Sequence, residues 1–186
     1  MNIIRKIIGS TYSLRMKICK LTGMGIRILK NKNKIIAPEN FYALKAISNT
    51  GEEISFEEYK GKKVLIVNLA SQCGYTPQYA ELEKRSKENS MIVLGFPSNN
   101  FGNQESHSDA EIASFCSINF GVTFPLFKKN DVRGNAKQVV YEWLTNKTKN
   151  GWNTMEPQWN FYKFLVDENG NLSGIFSSPV SPLEIQ

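Results

Sequence analysis

The pattern of apolar residues along the chain predicts alternating strands and helices. Continuous apolar runs over 64–70 and 91–96 have the length and composition of strands that are covered on both faces. The stretch over 76–87, between these two runs, is rich in helix formers and opens with Thr-Pro, which is typical of a helix start. Ser108 and Glu111 form a capping-box pattern, which predicts that a further helix begins there.

Two pairs of shorter apolar segments predict β-hairpins. One pair, 41–47 and 54–56, flanks an Asn-Thr-Gly turn, and the other, 161–167 and 172–176, flanks Glu-Asn-Gly-Asn. Further elements are expected over 124–132 as a strand, over 135–146 as a helix and after Ser181 as a short helix. A parallel β-α-β unit followed by a helix and an antiparallel hairpin is the thioredoxin-like order, so we expect an α/β fold in which helices flank a central mixed sheet.

The N-terminal residues are basic and amphipathic, unlike the rest of the chain. We therefore expect two parts, a basic amphipathic extension over 1–35 and a thioredoxin-like domain over 36–186. Apolar residues recur at roughly helical spacing over 1–21, and glycines with a lysine-rich run over 23–34 predict a linker. A basic amphipathic helix that lies on a membrane surface or packs on the body is favoured over a frayed extension or an export signal. No run of about eighteen apolar residues exists, so no transmembrane helix is expected.

Charge is distributed unevenly between these two parts. Residues 1–38 hold nine Lys or Arg and no acidic residue, which leaves fourteen basic and seventeen acidic residues in the remainder of a chain of net charge +6. This asymmetry predicts an arm that meets an anionic partner, rather than a basic fold. Membrane headgroups and nucleic acid are both anionic, and of the two we expect a membrane surface and no nucleic acid.

Three cysteines, Cys19, Cys73 and Cys116, are spread widely over the 186 residues. An odd number at wide spacing is not the disulfide framework of a secreted protein, and it indicates a reducing compartment. We therefore expect a cytoplasmic protein that associates with a membrane through residues 1–21. In such a compartment a cysteine is either a small buried apolar residue or a reactive thiol, and Cys19 in the basic arm is interpreted as the former.

Cys73 has the sequence surroundings of a reactive thiol. It lies between a predicted buried strand and a predicted helix start, where amide donors and the helix dipole favour a thiolate. Its neighbours Ser71, Gln72 and Gly74 indicate a turn rather than the interior of a strand. A disulfide oxidoreductase of this fold would have a second cysteine three positions later, but Thr76 stands there. This favours a cysteine that a peroxide oxidises first, to a sulfenic acid.

Three segments resemble the signature motifs of the glutathione peroxidase family. They are Asn-Leu-Ala-Ser-Gln-Cys-Gly-Tyr-Thr over 68–76, Gly-Phe-Pro-Ser-Asn-Asn-Phe-Gly-Asn-Gln-Glu over 95–105 and Trp-Asn-Phe over 159–161. All three follow the family's order within a stretch from about 40 to 178. The resemblance implies a thiol peroxidase that reduces hydrogen peroxide or organic hydroperoxides without a metal or an organic cofactor.

The resemblance also implies a catalytic site composed of Cys73, Gln104, Trp159 and Asn160. The two side-chain amides and the indole N–H can donate to a thiolate, which lowers the pKa of the thiol, and to the leaving oxygen of the peroxide. Without the resemblance, Trp159 would be interpreted as a core residue and the two amides as loop residues. Ser98, Asn100, Ser106 and Tyr162 depart from the family pattern.

Cys116 follows Phe115, a context similar to that of the resolving cysteine in thioredoxin-dependent members of the family. The implied cycle is capture of the Cys73 sulfenic acid by Cys116 and reduction of the disulfide by thioredoxin, with glutathione as the other candidate reductant. The alternative interpretation is that Cys116 belongs to a helix core. Only a short segment over 147–158 stands where oligomeric glutathione-using relatives carry an insertion, so a thioredoxin-dependent monomer is expected.

Two other functions remain open from the sequence. A peroxide sensor would use Cys73 in the same way but pass its disulfide to a partner protein. A membrane-docked interaction protein would use the thioredoxin-like body only as a scaffold. A metal site is not expected, because His107 is the only histidine and no cysteine lies near it in sequence.

Overall fold

The computed structural model describes residues 3–88 and 91–186, with side chains from residue 11 onward. Its helices are α1 (Ile3–Thr22), α2 (Gln78–Ser86), α3 (Asp109–Phe120), α4 (Val139–Thr145) and α5 (Lys147–Asn150). Its strands are β1 (Ile28–Lys30), β2 (Lys45–Ile47), β3 (Glu53–Ser55), β4 (Lys63–Leu69), β5 (Met91–Pro97), β6 (Lys163–Val166) and β7 (Leu172–Phe176). Short 3-10 helices lie at Phe41–Ala43, Phe56–Tyr59 and Pro182–Glu184.

Five of these strands form a mixed central sheet in the order β1-β7-β6-β4-β5, and β2 pairs with β3 in a separate hairpin. β4 and β5 are parallel and are connected through α2, which is the geometry that a β-α-β unit requires. β6 runs antiparallel to both β4 and β7. The arrangement confirms the predicted α/β fold with a central mixed sheet flanked by helices.

Successive residues of β4 enter two apolar cores on opposite faces of the sheet. Val64 belongs to the core that contains Trp143, whereas Leu65 belongs to the core that contains Cys73 and Cys116. The two cysteines that carry the predicted chemistry are therefore packed on the same face of the central strand.

Two predicted strand segments have a different structure. Residues 41–43 form a 3-10 helix that begins after Asn40, whose side chain accepts a hydrogen bond from the backbone N–H of Tyr42. The segment over 124–132 forms only two isolated bridges, one from Phe127 to Ser48 and one from Leu126 to Gly95. The predicted strand was wrong: Pro125 has no N–H to donate to a ladder, and the segment forms single bridges instead of a continuous pairing.

The start of α3 agrees with the start predicted from the sequence, whereas the start of α4 does not. The capping box is present, with the Ser108 side chain accepting from the Glu111 N–H and the Glu111 side chain accepting from the Ser108 N–H. The helix predicted over 135–146 begins only at Val139, after the extended residue Gln138.

The N-terminal part joins the sheet. α1 ends near Gly23 and Gly25, which have φ values of 69° and 73° that glycine adopts without strain. β1, which lies within the predicted linker over 23–34, pairs with β7 at the edge of the sheet. The division at residue 35 stays a prediction. Within the described residues, no helix combines the length and the apolar character that crossing a membrane requires.

Lys163 of β6 is a fully buried lysine that binds the backbone of the segment following β7. Its Nζ donates to the carbonyl oxygens of Ser178 at 3.0 Å and Val180 at 2.6 Å. Burial lowers the pKa of Lys163 to about 7. A neutral amine has two N–H groups, and the two carbonyls accept both of them.

This burial predicts a pH dependence of stability. Between pH 7 and the ordinary lysine pKa of 10.5, the unfolded chain binds a proton that the folded chain does not, so the free energy of unfolding rises with pH. Lys163→Met removes this contribution. We expect wild type to gain stability relative to the variant by up to about 1.4 kcal/mol per pH unit.

The measurement is urea unfolding of both proteins from about pH 7 to about pH 9.5. Lys84→Met, at an exposed lysine of α2, is the control and should keep the wild-type slope. A constant difference between wild type and Lys163→Met over this range would contradict the prediction.

Candidate active site

Cys73 lies in the turn between β4 and α2, and the Thr76 hydroxyl closes this turn. Thr76 Oγ1 accepts from the Cys73 N–H at 3.0 Å and donates to the Ala70 carbonyl at 3.0 Å. Thr76 was expected to cap α2, but α2 begins at Gln78 after Pro77 and has no side-chain cap. The hydroxyl is used inside the turn instead, because the buried Cys73 N–H needs an acceptor there.

Three groups that can donate hydrogen bonds surround the Cys73 sulfur. The backbone N–H of Tyr75 donates to Sγ at 3.4 Å. The side chains of Asn160 and Trp159 lie beside this sulfur and favour its thiolate, so both act to lower the pKa of Cys73. The structure thus brings Cys73, Trp159 and Asn160 together from the end of β4 and the segment before β6.

Gln104 takes a different place from the one the resemblance implied. Its Oε1 accepts a hydrogen bond from Asn160 Nδ2 at 3.0 Å, so its contact with the site runs through Asn160. Its carbonyl accepts from the Gln72 N–H at 3.0 Å, which ties the loop of Gln104 to the Cys73 turn. Among its described contacts, Gln104 therefore orients Asn160 and does not donate directly to sulfur.

Asn68, in β4, fixes the Trp-Asn-Phe segment. Its Nδ2 donates to the Trp159 carbonyl at 3.0 Å, and its Oδ1 accepts from the Tyr162 N–H at 3.0 Å. Phe161 between them has a left-handed φ of 61°, a strained conformation for a bulky residue. The hydrogen bonds of the Asn68 side chain and the burial of the Phe161 ring hold the bend that directs Asn160 at Cys73.

Glu105 is a buried carboxylate that the sequence reasoning did not assign to the site. Its Oε2 accepts from the Ser71 N–H at 2.7 Å and from the Ser71 hydroxyl at 2.8 Å, while Oε1 lies 3.3 Å from Nδ1 of His107. Glu105 thereby holds the turn that precedes Cys73. The signal that could have revealed it is an acidic residue next to Gln104 inside a motif of otherwise neutral residues.

Burial dominates the titration of Cys73. The residue is 1% exposed, and this desolvation raises the pKa of Cys73 although the N–H of Tyr75, Asn160, Trp159 and the charge of Arg15 all lower it. The sequence motifs predict a lowered pKa for Cys73, because they reveal the donors but not the loss of water around the sulfur. The thiolate of Cys73 is therefore costly to form before a substrate enters the site.

Cys116 is buried in α3, in the same apolar core as Cys73, and both are free thiols. Burial raises the pKa of Cys116 to about 11, with the Tyr79 hydroxyl beside it acting in the opposite direction. The fully buried Tyr79 interacts with both sulfurs, so this ring lies near each cysteine. Cys116 lies one turn before the helix ends at Phe120.

The remaining predicted positions have structural contacts. Cys19 is buried on α1, where it faces Tyr75. Asn100, one of the departures from the family pattern, donates to Asp131 and accepts from the Val132 N–H, which anchors the loop that carries Gln104. In the described residues there is no group of three or more metal-binding side chains.

A thioredoxin-like fold with one cysteine at the strand–helix turn, faced by amide and indole donors and lacking a Cys-x-x-Cys pair, defines the class of thiol peroxidases. The glutathione peroxidase family model matches residues 41–145. A glutathione peroxidase-like peroxiredoxin of Saccharomyces cerevisiae, HYR1, is 47% identical over 145 residues, which cover 76% of this chain and 89% of the relative. The chain belongs to the glutathione peroxidase family.

Further relatives agree with this assignment. A glutathione peroxidase-like peroxiredoxin of Chlamydomonas reinhardtii, GPX5, is 42% identical over 153 residues, which cover 81% of this chain and 94% of that protein. The crystal structure of Trgpx in its apo form superposes with a TM-score of 0.60 at 35% identity and covers 78% of this chain and 90% of that one. The structure of T. cruzi GPX1 gives a TM-score of 0.58 at 27% identity, with the same coverage.

Proposed function

We propose that this chain is a thiol peroxidase that reduces hydrogen peroxide or organic hydroperoxides through Cys73. The observation that carries the proposal is the convergence of the Tyr75 N–H, Trp159 and Asn160 on one buried sulfur. The sulfur attacks the nearer peroxide oxygen, an S–O bond forms and the O–O bond breaks. The same donors stabilise the negative charge on sulfur before attack and on the leaving oxygen during it.

The proton balance of this step fits a buried thiol. The thiol proton is transferred to the leaving oxygen, which departs as water or an alcohol, and Cys73 becomes a sulfenic acid. Because the proton ends on the product, the thiolate has to exist only while the peroxide is bound. A raised pKa in the resting site therefore protects Cys73 from other electrophiles without preventing the reaction.

Cys116 is proposed as the resolving residue and thioredoxin as the reductant. The Cys116 thiol attacks the sulfenic sulfur, a disulfide forms and water leaves. A thioredoxin dithiol then reduces this disulfide by two exchange steps. Supporting this, the two curated relatives described above are named peroxiredoxins, and Cys116 shares an apolar core with Cys73. We propose that the chain acts as a monomer, because the segment over 147–158 is short.

Peroxidase turnover tests the role of Cys73. We expect consumption of hydrogen peroxide with thioredoxin, thioredoxin reductase and NADPH, and a slower reaction when glutathione and glutathione reductase replace them. Cys73→Ser should abolish turnover, whereas Cys19→Ser, a matched change at another buried cysteine, should retain it. Turnover by Cys73→Ser would contradict the proposed site, and a loss of peroxide only in the presence of a third protein would indicate a sensor.

Intact mass after one equivalent of peroxide tests the role of Cys116. We expect wild type to lose two hydrogens, and Cys116→Ser to gain one oxygen on Cys73, because the sulfenic acid is then not captured. Cys116→Ser should also lose most of its thioredoxin-dependent turnover while its first oxidation proceeds normally. Loss of two hydrogens in Cys116→Ser would show that another thiol resolves the intermediate.

We also propose that the N-terminal arm binds an anionic membrane surface. Leu14, Ile18, Leu21 and Met24 are exposed apolar side chains on or just after α1. They lie within a segment that holds nine basic and no acidic residues over 1–38. Apolar side chains that insert at the headgroup level, surrounded by basic residues, are the features of an interfacial helix.

Vesicle flotation tests this docking. Leu21→Glu places a charge at a side chain that is 86% exposed, and we expect it to weaken binding to phosphatidylserine-containing vesicles by about tenfold or more. Ile118→Glu on α3 is the matched control, because Ile118 is 82% exposed and lies outside the arm. Equal partitioning of wild type and Leu21→Glu would contradict docking through the arm.

A further inference from the structure

Helix α1 reaches the Cys73 turn through Arg15. Arg15 Nη2 donates to the Gly74 carbonyl at 2.7 Å, and the guanidinium carbon lies 4.0 Å from the centre of the Tyr75 ring. One turn earlier in α1, the Tyr12 hydroxyl donates to Glu81 Oε1 at 2.8 Å, which fastens the helix to α2. α1 therefore packs on the residues that directly follow Cys73.

The approach of Arg15 depends on a glycine. A Cβ at Gly74 would lie 2.8 Å from Arg15 Nη1 and 3.0 Å from Nη2, so the guanidinium occupies the space of a side chain at this position. The stacking on Tyr75 adds a cation–π contact to the hydrogen bond. The guanidinium is thus held in one orientation by two adjacent residues of the turn.

The group that Arg15 binds and the group that donates to Cys73 belong to one peptide unit. The carbonyl of Gly74 and the N–H of Tyr75 are the two ends of the same planar group. Arg15 binds the oxygen end, and the N–H end donates to Cys73 Sγ at 3.4 Å. Fixing the oxygen fixes the direction of the N–H, and a charged donor on the carbonyl polarises the N–H into a stronger donor.

We propose that Arg15 is a positioning residue for the reaction of Cys73, which holds the Gly74–Tyr75 peptide so that its N–H points at the sulfur. The proposal rests on the proposed role of Cys73 as the peroxide-reactive thiol. It assigns a part of the active site to α1, which lies outside the residues 41–145 that match the family model. The arm then has a role in the chemistry that is separate from membrane docking.

Two titratable groups near the sulfur, Tyr75 and Tyr79, do not substitute for Arg15. Tyr75 and Tyr79 interact with Cys73, but burial raises the pKa of both, so they stay neutral at pH 7. The positive charge of Arg15 lowers the pKa of Cys73. Arg15 therefore acts on the thiolate in two ways, through the peptide that it orients and through its own charge.

The test is the pH profile of Cys73 alkylation by iodoacetamide, followed by the mass of the peptide that contains Cys73. The midpoint of the profile reports the thiol pKa and does not depend on how easily the reagent enters. Alkylation needs no peroxide and no thioredoxin, so it can be measured whether or not the chain turns over peroxide. For Arg15→Gln we expect the midpoint to rise by about half to one pH unit.

Two further variants separate position from charge. Arg15→Lys keeps the charge but lacks the planar fork, so it should recover only part of the shift. It also retains the aliphatic stem that packs on the turn, which keeps the proposal testable if Arg15→Gln unfolds in circular dichroism. Lys84→Gln, which removes an exposed positive charge from α2, should keep the wild-type midpoint.

Three outcomes would overturn the proposal. An Arg15→Gln profile equal to that of wild type would show that the guanidinium does not act on Cys73. Full recovery by Arg15→Lys would show that charge alone is responsible and that no positioning occurs. An equal shift in Lys84→Gln would assign the effect to the net charge of the protein.

Discussion

The exclusion of water from the Cys73 sulfur is the constraint on which the rest of the site depends. A buried thiol resists ionisation, so a reactive cysteine in this position needs donors that replace the lost solvent. The Tyr75 N–H, Asn160 and Trp159 meet that need from two separate parts of the chain. The reactivity of Cys73 towards peroxide therefore depends on these fixed donor groups more than on a low pKa of the resting thiol.

Holding those donors requires contacts beyond the sulfur. Glu105 fixes the strand side of the turn through Ser71, and Asn68 fixes the segment that carries Trp159. Both are buried polar residues whose hydrogen bonds would be costly to leave unmade. The site therefore owes its geometry to buried polar residues that hold the turn and the Trp-Asn-Phe segment in place.

The second half of the proposed cycle requires the structure to change. Cys116 is part of a helix and both thiols are buried, so a reductant protein reaches a disulfide between them only after the end of α3 opens locally. The same rearrangement would expose the oxidised sulfurs to a reductant protein.

The sequence by itself determined the class of fold, the family and the position of Cys73. Continuous apolar runs set β4 and β5, the capping box set the start of α3, and local motifs identified the reactive turn. Only the tertiary structure decided that Gln104 acts through Asn160, that Glu105 supports the turn and that Arg15 reaches it from α1. Helix caps and buried runs depend on near neighbours, whereas these contacts and the desolvation of Cys73 join residues that are far apart in sequence.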